Sequence, residues 1–253
     1  MSDPQGRVEQ WEAPPVPADI PLEPLRRPSR SGSSRSTFWW RVVLLGMVTL
    51  IASAAAYFLI DQPVAWFARH RDPATRDLAR LISSPGDATW VLSASVLVLA
   101  ISWAAGSKMW ASRAGLMLSA TAIAGLLVQP LKWLFGRHRP ADLYDHNLWG
   151  FQFFSSGFRN ASFPSGHACV IAATCAVLWL IWPRWWLAWV VLGVVACAGR
   201  VLGERHFISD VFTGGYFGAL CAVIIYRLWV QRFPSIHGDG LEAGAELSTI
   251  SAK

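Results

Sequence analysis

Six long apolar runs are separated by polar stretches along the chain, at 38–60, 87–106, 112–131, 166–182, 185–201 and 208–230. Each is near the roughly 20 residues that an α-helix needs to cross a hydrocarbon core. The pattern predicts an all-α protein, a six-span transmembrane helical bundle. Pro183-Arg184 reads as a tight turn between the fourth and fifth spans. Residues 61–86 follow another pattern, mixing Val64, Trp66, Phe67, Leu78, Leu81 and Ile82 with Arg69, Arg71, Arg76 and Arg80, and breaking at Asp72-Pro73. That stretch is too polar to span, and one or two short helices lying on the membrane surface are expected after the first span. Residues 1–36, rich in Pro, Ser and Arg, and residues 233–253, polar and mildly acidic, are expected to be disordered cytoplasmic tails around a six-span domain at 37–232.

Composition sharpens this picture. Hydrophobic residues make up 53% and charged residues only 15% of the 253 positions, where a soluble domain carries about 25% charge. Trp39, Trp40, Trp103, Trp110, Trp133, Trp182, Trp185 and Trp186 fall near span ends, where an amphipathic ring favours the headgroup level. The net charge of +6 contains no basic run of the kind that tracks a nucleic-acid backbone, so nucleic acid is not an expected partner. Cys169, Cys175, Cys197 and Cys221 all lie inside predicted spans, without metal or disulfide spacing, and read as packing residues. The first apolar run begins too late, and runs too long, for a cleavable signal.

Arg26, Arg27, Arg30, Arg35 and Arg41 precede the first span, which argues for a cytoplasmic N-terminus. Lys and Arg are as frequent on the opposite side, but the first span usually dominates. Six spans then place both termini in the cytoplasm and three polar clusters together on the outer face. The first cluster runs from Lys132 to Pro140 and includes Arg137, His138 and Arg139. The second is Phe163-Pro164-Ser165-Gly166-His167. The third runs from Gly199 to Asp210, with Arg200, Glu204, Arg205, His206 and Ser209.

The chemistry of these clusters points to a phosphate. Lys132 and Arg139 are seven apart and share a direction if helix continues. A Lys point charge and an Arg fork suit phosphate oxygens. Ser165 is a good N-cap, Gly166 lets backbone approach a ligand, and free N–H groups at a helix start attract anions. His167 lies in that first turn, where a bound anion favours its protonated form and lets it act as an acid. His206 and Asp210, four apart, are neighbours on a helix, so the carboxylate can fix the imidazole tautomer and free the other nitrogen for attack. Arg200 adds a third cation. No cluster has metal-ligand spacing, and no required metal or other cofactor is expected.

Lys132-x6-Arg139-Pro140, Pro164-Ser165-Gly166-His167 and Arg200-x5-His206-x3-Asp210 together resemble the three-part signature of the type 2 phosphatidic acid phosphatase superfamily. That family includes membrane lipid phosphatases, soluble acid phosphatases and vanadium haloperoxidases. The resemblance covers about residues 40–230. It implies a phosphohistidine on His206 oriented by Asp210, an acid role for His167, and phosphate binding by Lys132, Arg139, Ser165, Gly166 and Arg200. One position departs from the pattern: Gly199 stands where the family usually has Ser.

Other polar residues read more plainly. His70 and His138 are expected to be structural, and Arg137 and Arg205 to be headgroup contacts or solvated span ends. Glu204 is expected to pair with Arg205 or Arg200, and Gly214, Gly215 and Gly218 to allow close helix packing. The expected function is a bacterial inner-membrane lipid phosphatase. Polyprenyl pyrophosphate, phosphatidylglycerol phosphate, phosphatidic acid and lipid A phosphate are all open as substrate. A lipid-to-lipid phosphotransferase would use the same residues. A transporter would spread its charges along the midplane, and a catalytically dead scaffold would not need both histidines.

Overall fold

A computed structural model describes residues 33–155, 157, 159–233 and 236. Most of the tails expected to be disordered lies outside these residues. The chain divides into two units, Met1–Trp40 and Arg41–Lys253, and every described helix except the start of α1 lies in the second. In chain order the α-helices are α1 (Ser33–Leu59), α2 (Asp61–Arg69), α3 (Pro73–Ile82), α4 (Ala88–Ala104), α5 (Lys108–Phe135), α6 (Pro140–Asp145), α7 (Gly166–Ile181), α8 (Trp186–Leu202) and α9 (Ile208–Arg232). Short 3-10 turns at Ser84–Gly86 and Pro183–Trp185 complete the set. No strand occurs among the described residues; a single antiparallel bridge joins Arg137 to Phe151.

All six apolar runs are helical. Four segments are long and apolar enough to cross a membrane: Ser36–Leu59, Lys108–Phe135, Pro183–Leu202 and Ile208–Arg232. Ala88–Ala104 and Gly166–Ile181 are apolar but shorter, at 17 and 16 residues. Large apolar side chains face outward along them, with Leu50 71%, Phe58 79% and Trp103 83% exposed. A water-soluble surface rarely presents so much contiguous apolar area, whereas hydrocarbon solvates it without cost.

The interior is built from small side chains. Leu116, Ala120, Ala124 and Val128 of α5 meet Cys169, Ala173 and Val177 of α7 and Cys221 and Ala222 of α9. Between α7 and α9 the backbones touch. A Cβ on Gly214 would sit 2.3 Å from the Ser165 carbonyl oxygen, and one on Gly218 1.9 Å from that of Cys169. Small residues one turn apart let two helices close to this distance. Gly215 has no such role, since nothing lies within 4 Å of its would-be Cβ.

The segment after α1 does fold as two short helices. Asp72 caps α3 by accepting from the Thr75 N–H at 3.1 Å, with Pro73 in the first turn. This segment packs on α8 and on the loop that follows it. Arg69 and Arg76 reach Glu204 at 3.4 and 3.1 Å, and Arg80 donates to the Gly203 carbonyl at 3.1 Å. Glu204 therefore pairs with these arginines rather than with Arg200 or Arg205. The expectation weighed only its sequence neighbours, whereas the left-handed backbone at Glu204 (φ 59°) accompanies its contact with α2 and α3.

Candidate active site

The site forms where the C-terminal ends of α5 and α8 meet the N-terminal ends of α7 and α9. Ser165 is the N-cap of α7, its Oγ accepting from the Ala168 N–H at 3.3 Å, and it is fully buried. Its own N–H donates to the Asp210 carbonyl oxygen at 3.0 Å, joining the second cluster to the third. The close approach at Gly214 makes that junction possible.

Lys132 leaves the last turn of α5 and lies against the start of α7. Its Cε and Nζ are 3.4 and 3.5 Å from where a Cβ on Gly166 would stand. The ammonium donates to the Ala161 carbonyl at 3.1 Å. Arg139 reaches the same carbonyl at 3.5 Å and donates to the Arg205 carbonyl at 3.1 Å. The two cations converge, though not by continued helix: α5 ends at Gly136 in the left-handed conformation, and Arg139 is the N-cap of α6. Burial, with Arg205 nearby, holds the Arg139 guanidinium below its usual range.

His206 lies in the turn before α9, not on the helix. The carbonyl of Arg200 accepts from the N–H groups of Arg205 and His206, at 3.0 and 3.3 Å, and so shapes that turn. The imidazole is almost completely buried. Its Nδ1 is 2.9 Å from the Ser162 carbonyl oxygen, which can only accept, so Nδ1 carries the proton. Asp210, three residues into α9, is 3.6 Å from the same nitrogen. Asp210 spends its oxygens elsewhere: Oδ2 accepts from the Ser162 hydroxyl at 2.6 Å and the Phe207 N–H at 2.9 Å, and Oδ1 pairs with Arg137 at 2.5 Å. The tautomer that Asp210 was expected to fix is thus held by a backbone carbonyl, with Asp210 one bond behind it. Burial, only partly offset by Asp210, pushes His206 down to about 3, so at neutral pH Nε2 carries a lone pair.

Among the described residues five buried side-chain nitrogens have no partner, on Arg76, Arg137, His138, His167 and Arg200, and two of them, His167 Nε2 and Arg200 Nε, belong to residues expected at the site. Such orphans are costly, and at these two positions a bound anion would complete the bonding. His167 packs against the turn before α4, where a Cβ on Gly86 would come within 3.0 Å of its ring. All eight residues expected from the sequence are accordingly placed around the junction of these four helix ends.

Three buried residues were not anticipated as part of it: Asp61, Ser162 and Arg137. Arg137, expected as a headgroup contact or a solvated span end, has no exposure and pairs with both Asp61, at 2.8 Å, and Asp210. Folding turns it inward because the chain reverses at Gly136. Asp61, which closes an otherwise apolar run, is the signal that called for such a partner.

Gly199 is explained by packing. A Cβ there would stand 2.5 Å from the Ala79 carbonyl oxygen and 3.0 Å from the Ser83 Cβ. Helix α3 crosses α8 at this point, and its backbone occupies the space a serine would need.

Comparison with known proteins points to one family. A family model described as the PAP2 superfamily matches residues 113–234. A lipid A 1-phosphatase of Rhizobium etli is 30% identical over 203 residues, covering 74% of this chain and 86% of that protein. A lipid A 1-phosphatase of Rhizobium johnstonii is 30% identical over 217 residues, covering 80% and 87%. A crystal structure of a transmembrane PAP2-type phosphatidylglycerolphosphate phosphatase from Bacillus subtilis superimposes with a TM-score of 0.56 at 25% identity, over 75% of this chain and 96% of that one.

Proposed function

The chain belongs to the PAP2 superfamily, and on that premise we propose that it is a membrane lipid phosphatase working through a phosphohistidine on His206, with a lipid A type sugar 1-phosphate as its first candidate substrate. The observation that carries the reaction type is the buried His206, with Nδ1–H bonded to the Ser162 carbonyl, Nε2 left unprotonated, and Lys132 and Arg139 close enough to act on the ring electrostatically.

In this reading Nε2 attacks phosphorus while the bond from phosphorus to the lipid oxygen breaks. His167, protonated beside the bound anion, gives its proton to the leaving oxygen. Water then attacks the phosphohistidine, His167 takes the proton back, the N–P bond breaks and inorganic phosphate leaves. Lys132, Arg139, Arg200 and the N–H groups at Gly166 and His167 offset charge on the phosphoryl oxygens. These cations occupy the place a metal would fill in other phosphoryl-transfer enzymes, and turnover in EDTA is the expectation. Among the described residues no cluster of His, Cys, Asp and Glu is suited to hold a metal.

In this reading the two shorter apolar helices, α4 and α7, cross the bilayer with the four long ones, α2 and α3 lie at its surface, and the site opens at the outer face of a bacterial inner membrane with both termini cytoplasmic. The four long apolar helices support the membrane setting. The lipid then reaches the pocket sideways with its tails still in the bilayer. The substrate preference rests on the names of the two Rhizobium relatives. The same residues would serve transfer of phosphate to a second lipid.

The test is phosphate release by the detergent-purified full chain from lipid A, phosphatidylglycerol phosphate, phosphatidic acid and polyprenyl pyrophosphate, with EDTA present and His206→Ala as control. Release that the variant lacks supports the reading. Release that the variant retains removes His206 as nucleophile.

A further inference from the structure

The steps above make no use of three wholly buried polar side chains: Asp61, Arg137 and Ser162. They form one continuous hydrogen-bonded path to the nucleophile. Arg137 Nη2 donates to Asp61 Oδ2 at 2.8 Å, and Nη1 donates to Asp210 Oδ1 at 2.5 Å and to the Ser209 hydroxyl at 2.6 Å. Asp61 also accepts from the Ser209 N–H at 3.1 Å and from the Ser209 hydroxyl. The guanidinium lies against the rings of Tyr57, Trp149, Phe151 and Phe207, its central carbon 4.3 to 5.3 Å from their centroids. That box buries the guanidinium and packs its faces against aromatic rings.

Ser162 links this cluster to His206 with three different atoms. Its N–H donates to the Arg137 carbonyl at 3.0 Å, its hydroxyl to Asp210 Oδ2 at 2.6 Å, and its carbonyl accepts from His206 Nδ1 at 2.9 Å. The other two bonds anchor the backbone and the side chain of the residue that bears this carbonyl. Within the cluster two carboxylates face one guanidinium, leaving one buried negative charge (two minus one) on the Nδ1 side of His206, with Lys132 and Arg139 the further cations that feel it. A buried pair of opposite charges would be neutral, and the surplus calls for a positive partner.

We propose that Asp61, Arg137 and Ser162 are positioning residues for phosphoryl transfer. They lock the Ser162 carbonyl onto Nδ1–H and hold a surplus negative charge against the imidazolium that forms when Nε2 bonds to phosphorus. This inference rests on the phosphatase reading above. As the N–P bond forms, the ring keeps its Nδ1 proton and becomes cationic. No proton passes to Asp210, which stays committed to Arg137 and Ser162. The effect is specific to the bonded state, because resting His206 is neutral and gains little from the surplus charge.

Orthovanadate and inorganic phosphate, each titrated into the full chain in detergent, separate such a role from a merely structural one. Vanadate can bond to a nucleophile and take the five-coordinate shape of the transition state, whereas phosphate reports only the anion site. Ser162→Ala keeps the carbonyl and loses the hydroxyl bond; Asp61→Asn keeps the shape and loses the charge. Each is expected to weaken vanadate by about tenfold or more, with phosphate affinity held within about twofold. His206→Ala sets the limit for complete loss of the bond.

Arg137→Met strands two buried carboxylates and can fail to fold, so the two milder variants decide. Equal weakening of both anions, or a lower Tm with unchanged vanadate preference, overturns the proposal. A wild-type chain that binds the two anions alike overturns this proposal and the nucleophile assignment together. Preserved vanadate selectivity without phosphate release from any lipid sinks the hydrolase reading alone, and the positioning role stands.

Discussion

The Nδ1 of His206 donates to the carbonyl oxygen of Ser162 at 2.9 Å while the carboxylate of Asp210 stays 3.6 Å away. Backbone therefore holds the ring, and Asp210 holds the backbone. Asp210→Asn should cost stability as well as rate, because Arg137 would keep one buried carboxylate and lose the other. The amide would leave buried donors of Ser162, Phe207 and Arg137 poorly matched, at about 1–3 kcal/mol for each one left unsatisfied, a fall in Tm well beyond that from Asp77→Asn, whose ion pair with Arg80 is exposed. Thermal unfolding of the two variants in one detergent makes the comparison. A smaller loss for Asp210→Asn would contradict the buried network.

Burial gives His206 an unusual titration. Its ordinary value is 6.5 and the fold pushes it down to about 3. At pH 7 the folded and unfolded chains both carry it neutral. As pH falls below 6.5 the unfolded chain binds a proton that the fold refuses, so stability drops steadily until about 3. Nitrogen NMR of the ligand-free, histidine-labelled chain at pH 5, assigned by loss of signal in His206→Ala, should show a neutral ring protonated at Nδ1. An imidazolium at that pH would contradict the site as described.

Arg200 shows what an uncompleted site predicts. Its Nε is buried without a partner. Arg200→Gln should lower kcat/KM by about 100-fold, the scale of losing one preorganised donor to a phosphoryl oxygen. Phosphate release over a range of lipid concentrations measures it. An unchanged kcat/KM would place Arg200 outside the reaction.

The glycines of α9 should divide sharply. Gly218→Ala would bring a Cβ within 1.9 Å of the Cys169 carbonyl, prying α7 from α9. Overpacking of this kind costs about 1–3 kcal/mol, and the Ser165–Asp210 junction should loosen with it. Gly215→Ala meets nothing and should be neutral or slightly stabilising, by up to about 1 kcal/mol for a helix interior. Unfolding temperatures of the pair test this, and equal effects would refute the packing argument.

The helices were legible because a run of some twenty apolar residues is a strong local signal. Lys132, Arg139, His167, His206 and Asp210 were legible for a related reason, since each sits at the end of such a run within a short motif. Arg137 was misread although it lies two residues from Arg139. Its partners Asp61 and Asp210 are 76 and 73 positions away, and the helix ends at Gly136, so helical spacing says nothing of where Arg137 points. Ser162 escaped notice because it acts through its carbonyl, a group every residue has. Glu204 was paired with the wrong arginines because distance along the chain stood in for distance in space.

The crossing of α3 over Gly199 has a consequence for descent. The Ala79 carbonyl and a side chain at position 199 compete for one volume, so neither can change without the other. Gly199→Ser alone should lower Tm by the cost of displacing a helix, and a compensating shift of α3 should restore it. The residue before the motif arginine thus works as a spacer gauge: in any descendant it records how near the third helix is allowed to lie.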